Sequence, residues 1–210
     1  MKKVPAYGVR IMPTRGFYLE FKKKVKYIEE GYKLLEMKRD ELTRELRENL
    51  NQLKIVRREC DKRIADVFEE FRKLYAILGE STINAQAAII PKELDVHILP
   101  KSIMGVHVPF LKLKKEPKIE DKISPILMGI ARKYKELLKI LIKLSEMEMR
   151  IEVISDDLER TNRMVNALEK IVIPEMKQTL KYIEDLLDED MLEEFTRIKL
   201  VRDIILERRK

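Results

Sequence analysis

The sequence predicts an all-α fold: two very long helices forming an antiparallel coiled coil, with a small insert containing a short helix or loop and a β-hairpin. Three observations predict it. Only 6 Gly and 8 Pro punctuate 210 residues, so turns are few. Charged residues make up 39% of the chain beside 45% apolar residues, a balance of long solvated helices rather than of disorder. Apolar residues recur at steps of three and four over two long stretches, which keeps one narrow seam facing a partner helix.

Residues 1–13 read as an N-terminal extension, and Pro13-Thr14 as a helix entry. The first helix covers 14–78. Its stripe passes through Phe21, Val25, Ile28, Tyr32 and Leu35, then through Leu42, Leu46, Leu53, Val56 and Cys60, then through Ile64, Val67, Phe71, Leu74 and Leu78. Arg39 and Asn49 fall on this seam; polar intrusions of that kind cost stability and fix register.

The insert covers 79–124. Gly79 closes the first helix, and ESTINAQAAII reads as a short helix or a loop stopped by Pro91. Val96–Leu99 and Ile103–Pro109 read as the strands of a β-hairpin, with Pro100-Lys101-Ser102 as the turn. The run KLKKEPKIEDK that follows is charged enough for a mobile, solvated link.

Ser124-Pro125 opens the second helix, 125–210, because proline is tolerated in the first helical turn. Its stripe includes Ile130, Tyr134, Leu137, Leu141, Leu144, Ile151, Ile154, Leu158 and Val165. It resumes with Leu168, Val172, Met176, Leu180, Ile183 and Leu187, then Met191, Phe195, Ile198 and Ile205. Pro174 removes one backbone donor, so a bend rather than an end is expected there. At about 1.5 Å per residue the first helix is on the order of 100 Å long and the second longer, so the two fold against each other and the second projects as a lone helix at one end.

Several function classes fall away. No apolar run approaches the roughly 18 residues of a membrane span, and MKKVPAYGVR lacks the apolar stretch of a signal peptide. A single cysteine, Cys60, cannot form an internal disulfide. The expectation is a cytoplasmic protein that reaches a membrane only through a partner. The net charge of +7 is uneven. Residues 1–78 hold 20 basic against 13 acidic residues and residues 125–210 hold 17 against 18, so the first half carries the field that would attract acidic groups. Abundant Lys, Glu, Arg and Ile beside sparse Gln and Asn fit proteins of hot environments, where ion-pair networks cost less desolvation.

The glycines stand alone, so no phosphate-cradling loop is present and no catalytic residue or cofactor site is assigned. His97 and His107 would meet across the hairpin with Asp95 nearby, but three such donors are more readily ordinary surface residues than a metal site. Cys60 lies on the stripe and reads as a small buried hydrophobe. The basic clusters Lys22-Lys23-Lys24, Lys38-Arg39 and Arg57-Arg58 are interleaved with acids, and no Trp is present to stack bases, so they read as solvated coil flanks rather than a nucleic-acid site.

Three blocks carry a resemblance. MPTRGFYLEFKKKVKYIEEGYKLLEMKRDEL at 12–42, MGVHVP at 104–109 and TNRMVNALEKIVIPEMKQTLKYIEDLLDEDMLEEFTRIKLVRD at 161–203 together resemble the D subunit of the archaeal A-type and V-type ATPases, in the same order along the chain. Asn162 and Met164 depart from the family around Arg163, where a further basic residue is frequent. The resemblance implies a central-stalk rotor subunit, non-catalytic, that transmits torque between a catalytic head and a membrane ion-translocating ring. It implies as partners the catalytic A and B subunits, the small F subunit of the stalk and the funnel-like C/d subunit capping the ring, with no nucleic acid and no direct membrane insertion. The implied location is peripheral, on the cytoplasmic face of the membrane.

On this basis Met12 to Lys26 and Glu194 to Arg209 are expected to form a bearing in the head, with Thr14, Arg15, Lys22, Arg197, Lys199 and Arg202 as its contacts. Lys38, Arg39 and Asp40, with Arg163, Asn166 and Glu169, are expected as polar contacts within the coil or at its surface. Met104, Gly105, Val106, Val108 and Pro109 are expected to contact a neighbouring subunit, with edge-strand addition over 95–109 as one mode. The alternatives are a non-motor coiled-coil scaffold or a prefoldin-like chaperone arm, whose helices are normally shorter, and a nucleic-acid-binding coil, whose affinity would fall steeply with salt.

Overall fold

The computed structural model describes residues 14–89, 93–103, 105–116 and 124–208. Thr14 caps the first helix: its Oγ1 accepts the Phe17 N–H at 3.2 Å and its carbonyl accepts the Tyr18 N–H at 3.0 Å. With no proline to break it, α1 then runs from Arg15 to Leu78. Gly79, at φ +76°, ends it in the left-handed region that only glycine enters freely, and its N–H reaches the Tyr75 carbonyl at 3.1 Å. Of the two readings for the next segment the short helix holds: α2 is Glu80–Ile89. Pro91, its expected stop, lies outside the described residues.

The hairpin forms, but its turn is displaced. Strand β1 is Asp95–Ile103 and β2 is Val106–Lys115, antiparallel, so Pro100-Lys101-Ser102 belongs to β1 and the reversal falls between Ile103 and Val106. Gly105, at φ +80°, supplies the left-handed residue that the reversal needs. Pro100 lies directly opposite Pro109. Residues 112–115 of the expected solvated link are part of β2. Residues 117–122 of it lie outside the described residues.

Helix α3 is Pro125–Ala167 and α4 is Ile173–Glu207, joined by a π-turn at Leu168–Val172. The π-turn closes just before Pro174. The Ile173 N–H bonds to the Leu168 carbonyl, five residues back, and Pro174, the next residue, has no N–H with which to continue the widened ladder. The seam records the same event. Thr161 to Leu168 and Met176 to Ile183 are heptad steps of seven, whereas Leu168 to Met176 is eight; the π-turn takes up the one extra residue and both sides stay in the seam.

The chain divides into two units, Met1–Arg39 with Thr161–Lys210, and Asp40–Arg160. In the first, α1 runs antiparallel to α4. Arg15 Nη2 lies 3.0 Å from Met191 Sδ, Tyr18 Oη donates to Glu184 at 3.3 Å, and Glu29 meets Lys177 at 2.7 Å, so rising numbers on one helix meet falling numbers on the other. Val25, Thr161, Val165, Met176, Thr179 and Ile183 are buried between the helices. The Thr179 hydroxyl donates to the Glu175 carbonyl at 2.8 Å, which satisfies it without a partner across the seam.

In the second unit α1 runs antiparallel to α3, with ion pairs Arg57–Glu148 at 3.6 Å, Arg63–Glu136 at 3.1 Å and Glu70–Lys133 on the flanks. Exposed pairs of this kind contribute at most about 1 kcal/mol each. Burial contributes more, at about 1.5–3 kcal/mol for each fully covered aliphatic side chain. Leu42 and Ile154 are fully buried and cluster with Val106 and Val108 of the hairpin, while Cys60, Val67 and Leu137 form a second cluster with Ile64 and Leu141. Asn49 is buried on the seam as expected, and its amide donates to the Glu45 carbonyl at 2.7 Å, so the polar intrusion is satisfied within its own helix.

Candidate functional site

No described helix is long and apolar enough to cross a membrane, and the described residues present several exposed apolar surfaces. Three stand out. The first is the end of α4. The helix pair closes where Arg15 meets Met191, and from there onward every residue of α4 through Arg202 is exposed. Leu192 (66%), Phe195 (67%) and Ile198 (68%) are among them, as is Val201, and Ile204 and Leu206 further on are exposed as well. The expected seam therefore ends at Leu187: Met191 meets Arg15 at the start of α1, and Phe195, Ile198 and Ile205 are exposed further along α4. Among the described residues this stretch runs on past the start of α1, and its exposed apolar side chains are of the kind that marks a protein interface.

The expected bearing residues sit around that end. Thr14, Arg15, Lys22, Arg197, Lys199 and Arg202 are all exposed. Thr14 is committed to the cap of α1, Lys22 Nζ lies 5.6 Å from the centre of the Tyr18 ring, Arg197 pairs with Glu193 at 3.4 Å and Arg202 with Asp203 at 2.8 Å. Phe17 and Phe21 stack at 5.9 Å on the same helix. Met12, Pro13 and Arg209, at the outer limits of the expected bearing, lie outside the described residues.

The polar set divides. Lys38 and Arg39 are half-buried, with Arg39 beside Glu36 at 3.4 Å, while Asp40, Arg163, Asn166 and Glu169 are exposed. Arg163, Asn166 and Glu169 thus lie on the surface of their unit and not in its seam. Glu169 is felt across the pair: burial chiefly, then the charges of Glu169 and Glu36, push the Tyr32 hydroxyl above its usual range.

The second surface is the hairpin. Val106 and Val108 are buried against the chain's own Leu42 and Ile154, which leaves Gly105 and the half-buried Pro109 as the expected contact residues still open; Met104 lies outside the described residues. Glu146 of α3 accepts the Leu111 N–H at 3.3 Å, and Glu116, just past β2, meets Lys135 at 3.0 Å and Lys139 at 2.8 Å, so β2 rests on α3, while Ile103 at the end of β1 packs against the cluster that holds Leu42 and Ile154. All of 97–102 is exposed. His97 stands opposite Lys112 and His107 opposite Ser102, so the two histidines do not meet, and His97 Nε2 lies 3.6 Å from Asp95 Oδ2. Among the described residues no group of three His, Cys, Asp or Glu is placed to hold a metal ion.

The third surface is an apolar pocket of about 390 Å³ among the end of α1, α2 and the start of α3, lined by Val67, Phe71, Ile83, Leu127, Ile130 and Tyr134. Phe71 and Tyr134, expected on the seam, are 41% and 52% exposed at its rim. Cys60 is buried as expected, and burial first, then the charges of Asp61, Glu148 and Glu59, raise its thiol pKa, the reverse of what a nucleophile needs. The pocket and the exposed Leu99 and Phe110 had no distinct signal in the sequence, since an exposed apolar residue and a buried one are written with the same letter.

Comparison with known proteins supplies relatives. The family model described as the ATP synthase D subunit matches residues 18–203. The chain is similar to the A-type ATP synthase D subunit of Pyrococcus furiosus, 33% identical over 94% of this chain and 95% of that one. It is also similar to that of Methanobrevibacter smithii, 34% identical over 93% and 87%, and to that of Sulfolobus acidocaldarius, 30% identical over 95% and 98%.

Proposed function

Since the chain belongs to the ATP synthase D-subunit family, we propose that it is the central-stalk rotor subunit of an A/V-type rotary ATPase, non-catalytic, carrying torque between the catalytic head and the membrane ion-translocating ring. The observation that carries this reading is the end of α4, where Leu192, Phe195 and Ile198 lie open past the point at which Arg15 meets Met191. A surface of that kind is costly in water and is covered in a stable assembly. Its partners in this reading are the catalytic A and B subunits, with Thr14, Arg15, Lys22, Arg197, Lys199 and Arg202 at the bearing. The small F subunit and the funnel-like C/d subunit complete the stalk, on the cytoplasmic face of the membrane.

The physics of the pair fits the role. Two packed helices resist bending and twisting better than one, because seam side chains carry load between them. A pair made from the two ends of one chain has no rotational symmetry, so each of three surrounding catalytic interfaces meets a different face. Differential contact is what shifts open and closed populations, and an asymmetric axle therefore holds the three sites in different states. Reconstitution with the A, B and F subunits, followed by ATPase and single-molecule rotation assays, tests the reading. A head that assembles and rotates normally without this chain would overturn it.

A further inference from the structure

Glycine is among the costliest residues in the interior of a helix, because it gives up the most backbone freedom there. Gly79 and Gly105 are needed for their positive φ, and Gly16 and Gly129 lie in the first turns of α1 and α3, where helices fray. Gly31 is different. It stands well inside α1, and a Cβ built on it would meet nothing within 4 Å, so no packing among the described residues calls for it.

Its surroundings show what the gap is good for. Tyr27, Glu30, Gly31 and Leu34 stand at i, i+3, i+4 and i+7, the four corners of the hole into which a neighbouring helix inserts a side chain. Tyr27 is 68% and Leu34 64% exposed, so the hole opens to solvent and is not filled by this chain's own seam. With no side chain at Gly31 its floor is backbone, and a partner helix can come closer than the roughly 8–10 Å usual between helix axes.

One end of the hole is cationic and the other apolar. Lys23 and Lys24, one turn before Tyr27, are exposed, and so is Met37, one turn beyond Leu34. From Lys23 to Leu34, α1 carries four lysines and two acids, and both acids are engaged, Glu29 with Lys177 at 2.7 Å and Glu30 with Lys26 at 3.9 Å.

We infer that a helix of a neighbouring subunit crosses α1 here, seating a large apolar side chain over Gly31 between Tyr27 and Leu34 and turning a carboxylate toward Lys23 and Lys24. The inference rests on the proposed place of the chain in a multi-subunit complex. Charge complementarity chooses the occupant: the two lysines oppose a basic helix, and an uncharged one gives them nothing to pair with.

The test uses the full chain assembled with the A, B, F and C/d subunits, with a photo-crosslinking benzoylphenylalanine in place of Tyr27. The expected product is a cross-link to a helix that carries Asp or Glu about one turn from the linked residue. Gly31→Ala and Gly31→Leu should each raise the melting temperature of the isolated chain by about 2–4 °C, since both are better helix formers. Gly31→Leu is nevertheless expected to weaken association with the cross-linked partner about tenfold, because it fills the hole, while Gly31→Ala weakens it less. Lys23→Glu with Lys24→Glu is expected to weaken association similarly with little change in melting. Unchanged association of Gly31→Leu, or a Tyr27 cross-link that is absent from the assembled complex or goes to a basic or extended segment, would overturn the inference alone. Equal loss in Gly31→Ala and Gly31→Leu would also overturn it, because the glycine would then serve bending of α1 and not contact. A wild-type chain that joins none of the partners would overturn the central-stalk reading and this inference with it.

Discussion

The Leu111 backbone donates to Glu146 Oε2 across 3.3 Å, and Arg150 holds the other oxygen of the same carboxylate at 2.7 Å. One side chain thus ties the hairpin to α3 and fills two needs at once. Glu146→Ala leaves an amide and a half-buried guanidinium without it, at a cost of about 1–3 kcal/mol. Glu146→Gln keeps an acceptor and should cost less. Denaturant unfolding of the two variants checks the order, and equal stability of Glu146→Ala and wild type would remove the tie.

Ile154 is fully buried with Leu42 and Val108, whereas Ile198 is 68% exposed on α4. Ile154→Ala should cost about 2–5 kcal/mol through lost burial and the cavity left behind. Ile198→Ala should stay within about 0.5 kcal/mol of wild type and instead weaken assembly with the head. Thermal melting and gel filtration with the A and B subunits separate the two effects. A large loss of stability in Ile198→Ala would mean that the tail is covered in the isolated chain.

Pro174 denies Glu169 a donor five residues on, since the ladder gives the Ile173 N–H to Leu168. The eight-residue step keeps the π-turn in place whatever occupies position 174. Pro174→Ala therefore completes the widened ladder, and the variant should be more stable by about 1 kcal/mol. Slow amide exchange at the new residue is the signature to look for. A variant that melts lower than wild type would sink this account of the π-turn.

Glu116 carries a pH dependence whose sign is fixed. Hydrogen bonds from Lys139 and Lys135 hold its carboxyl below the ordinary value of 4.5. The folded value is thus lower than the unfolded one. The stabilisation is present above about pH 4.5 and is lost as pH falls through the lowered folded value. Glu116→Gln should therefore flatten the melting temperature below that point. NMR titration of the side chain checks the direction, and an unshifted or raised midpoint would contradict it.

Most of the fold was legible because seam burial has a period. Val25, Leu42, Cys60, Val67, Leu137, Ile154, Val165, Met176 and Ile183 all lie buried where steps of three and four put them. Thr161 and Thr179 were missed because their letter is polar while their hydroxyls can bond within their own helix, as Thr179 does with Glu175. The hairpin turn was misplaced because proline marks turns and also marks outward positions on protected edges; Pro100 and Pro109 are of the second kind. The π-turn was legible only as an interruption at Pro174, since the extra residue shows once Leu168 and Met176 are known to share a seam. Arg15, Lys22, Arg197, Lys199 and Arg202 were legible as exposed charge, whereas Val106 and Val108 were read as contacts for a neighbour and turn inward.

The last turns of α4 have a consequence for how the protein is made. A stretch of about four turns with its greasy side uncovered is near the limit of what a solitary helix sustains in water. Copies synthesised in excess of their mates would clump through that stretch or fray there and be cut first by proteases. Supply of the chain would then be matched to supply of the assembly by its own chemistry, without a separate regulator.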